Sequence, residues 1–208
     1  RRGLLTSNIL DGGACVDTSG DGRPDVQYNF APFAPGAPGQ PPLSAHAVQI
    51  HPMTMRPKSR GRLGLRSKDA YDQPKFLANA LDATEDLDTL RRGVRLAREI
   101  FQQAPLKDIV GDEIWPGPDV SSAAGSNNLD DAIRKQARTI YHPAGTCRMG
   151  VDEGAVVDPR LRFNGIDGLR VVDASIMPNV ISSNTNAAAI MIGEKASDMI
   201  REDHGTKS

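Results

Sequence analysis

The residue best suited to acid–base chemistry is His142, which lies between Tyr141 and Gly150 in a segment that also contains Pro143 and Gly145. Proline and glycine favour a loop, and such a loop can hold an imidazole against a flat ligand. Histidine titrates closer to neutral pH than other side chains, which suits a general base. Because histidines in loops are more often structural than catalytic, this segment alone leaves both roles open.

Two polar segments follow in places where proteins bind ligands. Asp173 comes directly after the apolar residues 169–172, which are expected to form a short strand. Carboxylates at strand ends lie near the ligand sites of α/β folds, although such a residue can also be a plain N-cap or turn residue. The polar run 182–186 precedes an apolar helix expected from about Asn186 to Ile200. A helix N-terminus carries roughly half a positive charge and suits an electron-rich group, while the same run can simply cap the helix.

Several other kinds of site are disfavoured by residue type and spacing. The segment 17–25 resembles the start of a calcium loop, but Tyr28 stands where such a loop needs a bidentate carboxylate, so a surface turn is expected. Cys15 and Cys147 lie far apart without metal-site spacing, which argues against a disulfide scaffold and a metal site and favours a reducing compartment such as the cytoplasm. The sequence also lacks the Gly-x-Ser-x-Gly elbow of many hydrolases.

Composition disfavours further classes. The 208 residues contain 25 Lys plus Arg and 26 Asp plus Glu, so a net charge of −1 gives no electrostatic reason to expect nucleic acid or an anionic membrane as partner. No apolar run approaches the roughly 20 residues that span a bilayer. The chain starts at Arg1 rather than at a methionine, which suggests a processed, split or truncated chain.

The first part of the chain is expected to form an antiparallel meander. Apolar and polar residues alternate over 26–30 and again over 48–55, where Pro52 restricts the strand to a sheet edge or a bulge. Residues 63–65 are expected to continue this meander.

Two helices should follow. Helical spacing of apolar residues predicts a helix up to Phe101, with Asp82 and Glu85 as a capping box, and a shorter helix over 129–140. These elements predict an α+β fold with an antiparallel sheet for the first two thirds of the chain. A single strand and helix at the C-terminus cannot form a doubly wound sheet, so they resemble part of an α/β domain completed by other strands.

Four motifs in the C-terminal third closely resemble the C-terminal signature of the glucose–methanol–choline (GMC) oxidoreductases. They lie, in order, at residues 142–150, 156–162, 168–178 and 184–187. Segments 24–27, 56–61 and 92–100 resemble the substrate domain of the same family, so the likeness covers almost the whole chain. Asn184 stands where many relatives have a second histidine, which places the chain nearest the choline dehydrogenase-like branch.

The resemblance implies an FAD-dependent enzyme that oxidises a small alcohol to an aldehyde or ketone, with hydride transfer to flavin N5. His142 would accept the hydroxyl proton, Asn184 would hydrogen-bond the same oxygen, and Tyr141 would line the substrate pocket. Residues 1–140 would belong to the substrate-binding domain and residues 141–208 to the FAD-binding domain. The residues expected to contact FAD are Asp173, Ala174, Asn184, Thr185, Asn186 and Ala187.

One family feature does not occur in these 208 residues, namely the Gly-x-Gly-x-x-Gly turn that holds the FAD pyrophosphate. The resemblance therefore implies a partner, either an N-terminal segment or a separate chain, that carries this motif. Two alternatives stay open. The chain could belong to a hydroxynitrile lyase-type relative that uses the same histidine without net redox, or it could be a non-catalytic structural subunit.

Overall fold

The computed structural model describes residues 10–33, 41, 46–121 and 127–205. The chain divides into two compact units, one formed by residues 1–59 and 80–138 and the other by residues 60–79 and 139–208. The assignment of residues 1–140 to substrate binding and of 141–208 to FAD binding stays a prediction. In the structure, however, residues 60–79 belong to the same compact unit as residues 139–208.

The first unit contains a three-stranded antiparallel sheet, which confirms the predicted antiparallel sheet. Its strands are β1 (Gly12–Val16), β2 (Val26–Ala31) and β3 (Gln49–Thr54), and they lie in the order β1-β2-β3. Tyr28 in β2 lies opposite Pro52 in β3, which is an edge strand as the proline predicts. Strand β1 was not predicted because most of its residues are exposed and show no apolar alternation.

Helix α1 (Thr84–Phe101) packs on this sheet through Gly93. The hydroxyl of Tyr28 donates a hydrogen bond of 2.8 Å to the Gly93 carbonyl oxygen. A Cβ atom added at Gly93 would lie 2.7 Å from the Cβ of Pro52. The helix therefore approaches the sheet more closely at this position than any larger residue would allow. Val26, Tyr28 and Ala97 form the buried core beside it.

The predicted capping box at the start of α1 is wrong. The N-cap is Ala83, which makes no side-chain capping bond, and Asp82 lies one residue too early and is exposed. Instead, the buried carboxylate of Asp86 accepts hydrogen bonds from the backbone amides of Lys58 and Ser59, at 2.7 and 2.8 Å. The first turn of the helix thus binds the preceding loop rather than capping itself.

Helix α2 (Asn127–Gln136) is shorter than the helix predicted over 129–140. Its apolar residues Leu129 and Ile133 are buried with residues of α1, whereas Ile140 is 44% exposed. Ile140 fits the helical spacing of the sequence but lies outside both the helix and this buried cluster.

Residues 63–65 do not continue the meander, contrary to the prediction. Strand β4 (Arg62–Gly64) pairs with β5 (Lys75–Leu77) in a separate antiparallel hairpin within the second unit. A Cβ at Gly61 would lie 2.5 Å from the Leu77 carbonyl oxygen, so glycine permits the close backbone approach that starts this hairpin.

The strand predicted over 169–172 is reduced to one antiparallel bridge between Arg170 and Arg162. The backbone N–H of Phe163 donates to the Leu169 carbonyl, and the backbone N–H of Val171 donates to the Leu161 carbonyl. These two hydrogen bonds are too few to make a strand. The chain then enters a single 3₁₀ turn over Ala174–Ile176.

Helix α3 (Asn186–Asp203) confirms the predicted C-terminal helix and extends a few residues further. It contributes two residues to the buried core of the second unit, whose members are Val157, Leu161, Ile176, Met177, Ile192 and Ala196. Among the described helices, none is both long and apolar enough to cross a membrane.

Candidate active site

The loop that carries His142 is attached to the 3₁₀ turn by backbone hydrogen bonds. Cys147 N–H donates to the Ser175 carbonyl at 2.9 Å, and Met149 N–H donates to the Ile176 carbonyl at 2.8 Å. Gly145 has φ of +90°, and a Cβ there would meet the Met177 carbonyl oxygen at 3.1 Å. The loop is therefore fixed to the protein on the C-terminal side of His142.

The start of α3 meets this loop through the His142 ring. Nδ1 of His142 lies 2.9 Å from the Thr185 hydroxyl oxygen, and Nε2 lies 2.7 Å from the Asn184 side-chain nitrogen. His142 is half-buried, Thr185 is buried and Asn184 is exposed. Two residues selected from sequence motifs, His142 and Asn184, are thus in direct contact.

The Asn184 contact indicates which ring nitrogen of His142 carries the proton. The Asn184 amide nitrogen is turned towards the ring and can only donate, which favours the tautomer with the lone pair on Nε2. In that tautomer Nδ1 carries the proton and the Thr185 hydroxyl oxygen accepts from it. The Thr185 backbone N–H also faces Nδ1 and can only donate, but its distance of 3.5 Å makes it the weakest contact. The proton position is inferred from this pattern of donors and acceptors, and it leaves Nε2 able to accept a proton.

The Thr185 side chain contacts the His142 ring instead of capping its own helix. Thr185 is the N-cap residue of α3 and makes no side-chain capping bond. The first turn of α3 contains no acidic residue, and Asn186 and Ala187 are exposed there. Since the first N–H groups of a helix lack partners within it, this end presents donors and partial positive charge to an incoming group.

Asp173 has the turn-forming role that the sequence left open. Its carboxylate accepts a 2.7 Å hydrogen bond from the Ser175 backbone N–H and is the N-cap of the 3₁₀ turn. The residue is exposed, and Ala174 beside it is partly buried. Asp173 therefore shapes the turn to which the His142 loop is bonded, and a role in cofactor binding stays a prediction.

Tyr141 precedes the candidate base in an unusual backbone conformation. Its φ of +64° lies in the left-handed region, and its backbone N–H donates to the Thr139 hydroxyl at 3.0 Å. The residue is 84% exposed. Bulky residues in this region are strained by about 1–3 kcal/mol, a feature that concentrates near functional sites. Its place in a substrate pocket stays a prediction.

The protein also has a surface cavity of about 440 Å³ in the second unit, but no predicted site residue lines it. It is bordered by Asp158, residues 162–170, Asp203 and His204. The candidate site lies elsewhere, at His142 and the start of α3.

Sequence reasoning missed the bond between Thr185 and His142. It placed Thr185 among the cofactor-binding residues because of its motif. The two residues are 43 positions apart, and nothing in their types or spacing indicates that their side chains meet.

Comparisons with known proteins agree with the motifs. The family model described as GMC oxidoreductase matches residues 57–193. An oxygen-dependent choline dehydrogenase of Acinetobacter baumannii is 43% identical over 200 residues, and an alcohol dehydrogenase [acceptor] of Pseudomonas putida is 42% identical over 201 residues. Each alignment covers 96% of this chain and 36% of the relative.

A solved structure shares the fold. The crystal structure of pyridoxine 4-oxidase from Mesorbium loti matches with a TM-score of 0.81 and 28% identity, over 94% of this chain and 38% of that one. The chain belongs to the GMC oxidoreductase family, whose members are FAD flavoproteins. The predicted family and its choline dehydrogenase-like branch are confirmed, and the chain spans about a third of the length of these relatives.

Proposed function

We propose that this chain forms the proton-accepting part of the active site of an FAD-dependent oxidoreductase that converts an alcohol to an aldehyde or ketone. The observation that carries the proposal is the His142 ring, held between Asn184 at Nε2 and Thr185 at Nδ1. The family match supports the reaction class, and the two relatives described above are named as dehydrogenases of choline and of an alcohol.

His142 is the proposed base. An alcohol hydroxyl can replace the contact between His142 and Asn184, donating its proton to Nε2 while its oxygen accepts from the Asn184 amide. Asn184 cannot itself accept a proton at neutral pH, so it orients the oxygen and stabilises the negative charge that develops on it. The protonated ring keeps its Nδ1–H bond to Thr185 during this transfer.

FAD, when bound, supplies the acceptor for the hydride that leaves the alcohol carbon. The residues proposed to hold it are Asp173 and Ala174 at the 3₁₀ turn and residues 184–187 at the start of α3. They fit an electron-rich ring because the first turn of α3 has exposed residues, no acidic side chain and no side-chain cap from Thr185. Tyr141, 84% exposed beside the base, is proposed to line the alcohol pocket.

The proposed enzyme has a further part. The glycine-rich pyrophosphate motif is absent from these 208 residues, and the chain spans 36% of its curated relatives. We therefore assign FAD pyrophosphate binding to an N-terminal segment or partner chain, with the C-terminal elements of this chain completing that α/β domain. Residues 1–140 are assigned to substrate binding.

The test is anaerobic reduction of bound flavin by a panel of small alcohols, in the enzyme assembled with its flavin-binding part. His142→Ala should slow flavin reduction at least ~100-fold, as expected when an acid–base group is lost. His204→Ala is the matched control, because His204 is exposed at the end of α3. It should reduce flavin at the unmodified rate.

Three results would contradict the proposal. Near-normal reduction in His142→Ala would remove this residue as the base. A bound flavin that stays oxidised while a cyanohydrin is cleaved would favour the lyase alternative. An assembled protein that binds no flavin would favour a structural subunit.

A further inference from the structure

Thr185 is a buried residue whose hydroxyl contacts, among the described side chains, the Nδ1 atom of His142 at 2.9 Å. Thr185 is only 9% exposed and sits at the N-cap position, where a threonine hydroxyl normally accepts from the helix backbone. It makes no such bond here. Thr185 therefore contacts the His142 ring, which lies in a loop outside α3, instead of capping the helix.

We propose that Thr185 is a positioning residue that fixes the His142 ring in the tautomer able to act as a base. This inference rests on the proposed function, in which Nε2 of His142 accepts the proton of an alcohol. Neutral imidazole carries its proton on either nitrogen, and only the form with Nδ1–H has a lone pair on Nε2. The Thr185 hydroxyl can accept from Nδ1–H, which the neighbouring backbone N–H cannot do, so it supports that form while Asn184 donates to Nε2.

The same contact also fixes the orientation of the ring. Asn184 binds the opposite nitrogen at 2.7 Å, but it is exposed and would release His142 when an alcohol takes its place. Thr185 is then the partner that keeps the ring from rotating. The backbone N–H of Thr185 lies 3.5 Å from Nδ1, and without the hydroxyl it becomes the nearer partner. An N–H donor there favours the opposite tautomer, whose Nε2 cannot accept a proton.

The experiment compares Thr185→Val, which removes the hydroxyl at nearly constant shape, with Thr185→Ser, which keeps it. Thr84→Val is the matched control, because Thr84 is exposed at the start of α1. The first readout is the tautomer of His142, measured from ring ¹⁵N shifts in histidine-labelled flavoenzyme without alcohol. The second readout is the rate of anaerobic flavin reduction at saturating alcohol.

Thr185→Val should move His142 towards the Nε2–H tautomer and slow flavin reduction about tenfold, equivalent to ~1.4 kcal/mol of barrier. Thr185→Ser and Thr84→Val should keep the unmodified tautomer and stay within about twofold of the unmodified rate. If the valine variant loses its native circular dichroism, Thr185→Ala takes its place in both measurements.

The inference is overturned if Thr185→Val keeps the Nδ1–H tautomer and the unmodified rate, or if Thr185→Ser is as impaired as Thr185→Val. Failure of the proposed function is distinguishable from either result. In that case no alcohol reduces the unmodified flavin, while the tautomer measurement still decides the role of Thr185.

Discussion

Replacing Gly93 by alanine should destabilise the first unit, although alanine is the better helix former. Alanine in a helix interior is favoured over glycine by about 1 kcal/mol. At Gly93 the added Cβ would lie 2.7 Å from the Cβ of Pro52, well inside the 3.5–4.0 Å at which carbon atoms attract one another. Pro52 has a rigid ring and cannot rotate away, so α1 and β3 must separate.

The expected cost exceeds the gain in helix propensity. Overpacking of this kind typically costs about 1–3 kcal/mol. The same displacement strains the buried 2.8 Å bond from the Tyr28 hydroxyl to the Gly93 carbonyl, which is worth about 1 kcal/mol. Subtracting the gain in propensity leaves Gly93→Ala less stable by about 1–3 kcal/mol.

The assay is urea unfolding followed by far-ultraviolet circular dichroism. Gly193→Ala provides the matched control, because Gly193 also lies inside a helix but an added Cβ meets no atom within 4 Å. It should raise the free energy of unfolding of its own unit by about 0.5–1 kcal/mol. A Gly93→Ala protein as stable as the unmodified one, or more stable, would refute the packing argument.

Two further predictions concern carboxylates with lowered pKa values. Burial opposes the ionisation of Asp25, but hydrogen bonds from Thr18 and Arg92 outweigh it and lower its pKa below the ordinary 3.8. The stabilisation by ionised Asp25 is therefore complete above pH 3.8 and is lost as pH falls through the lower pKa of the folded state. Asp25→Asn weakens charge-assisted hydrogen bonds that are typically worth about 1.5–3 kcal/mol each, so it should destabilise the protein at pH 7 and much less in acid, as measured by urea unfolding at both pH values. The carboxylate of Asp203 accepts hydrogen bonds from Arg170 and Arg160. These bonds lower its pKa, and the bond from Arg170 has the larger effect. Asp203→Asn should speed hydrogen exchange in the last turn of α3 and leave its first turn unchanged; equal exchange at both ends would contradict an anchoring role.

Much of the candidate site was readable from sequence because its members lie in short, ordered motifs. His142 and Asn184 were selected from residue type and motif order, and the structure brings them to 2.7 Å. The alternation over β2 and the apolar periodicity of α3 predicted those elements, since a buried face imposes a fixed period on the sequence. Pro52 placed its strand at a sheet edge because it lacks an amide donor.

The remaining features depend on which segments meet after folding. The capping box failed because the helix begins at Thr84, with Ala83 as its N-cap, and the carboxylate of Asp86 in its first turn binds residues 58 and 59. The strand predicted over 169–172 is a single bridge between Arg170 and Arg162. Thr185 shows the limit most clearly. Sequence placed it in a motif, but only the tertiary structure directed its hydroxyl to a ring 43 residues away. A hydrogen bond depends on positions in space to within a few tenths of an ångström, and separation along the chain does not encode them.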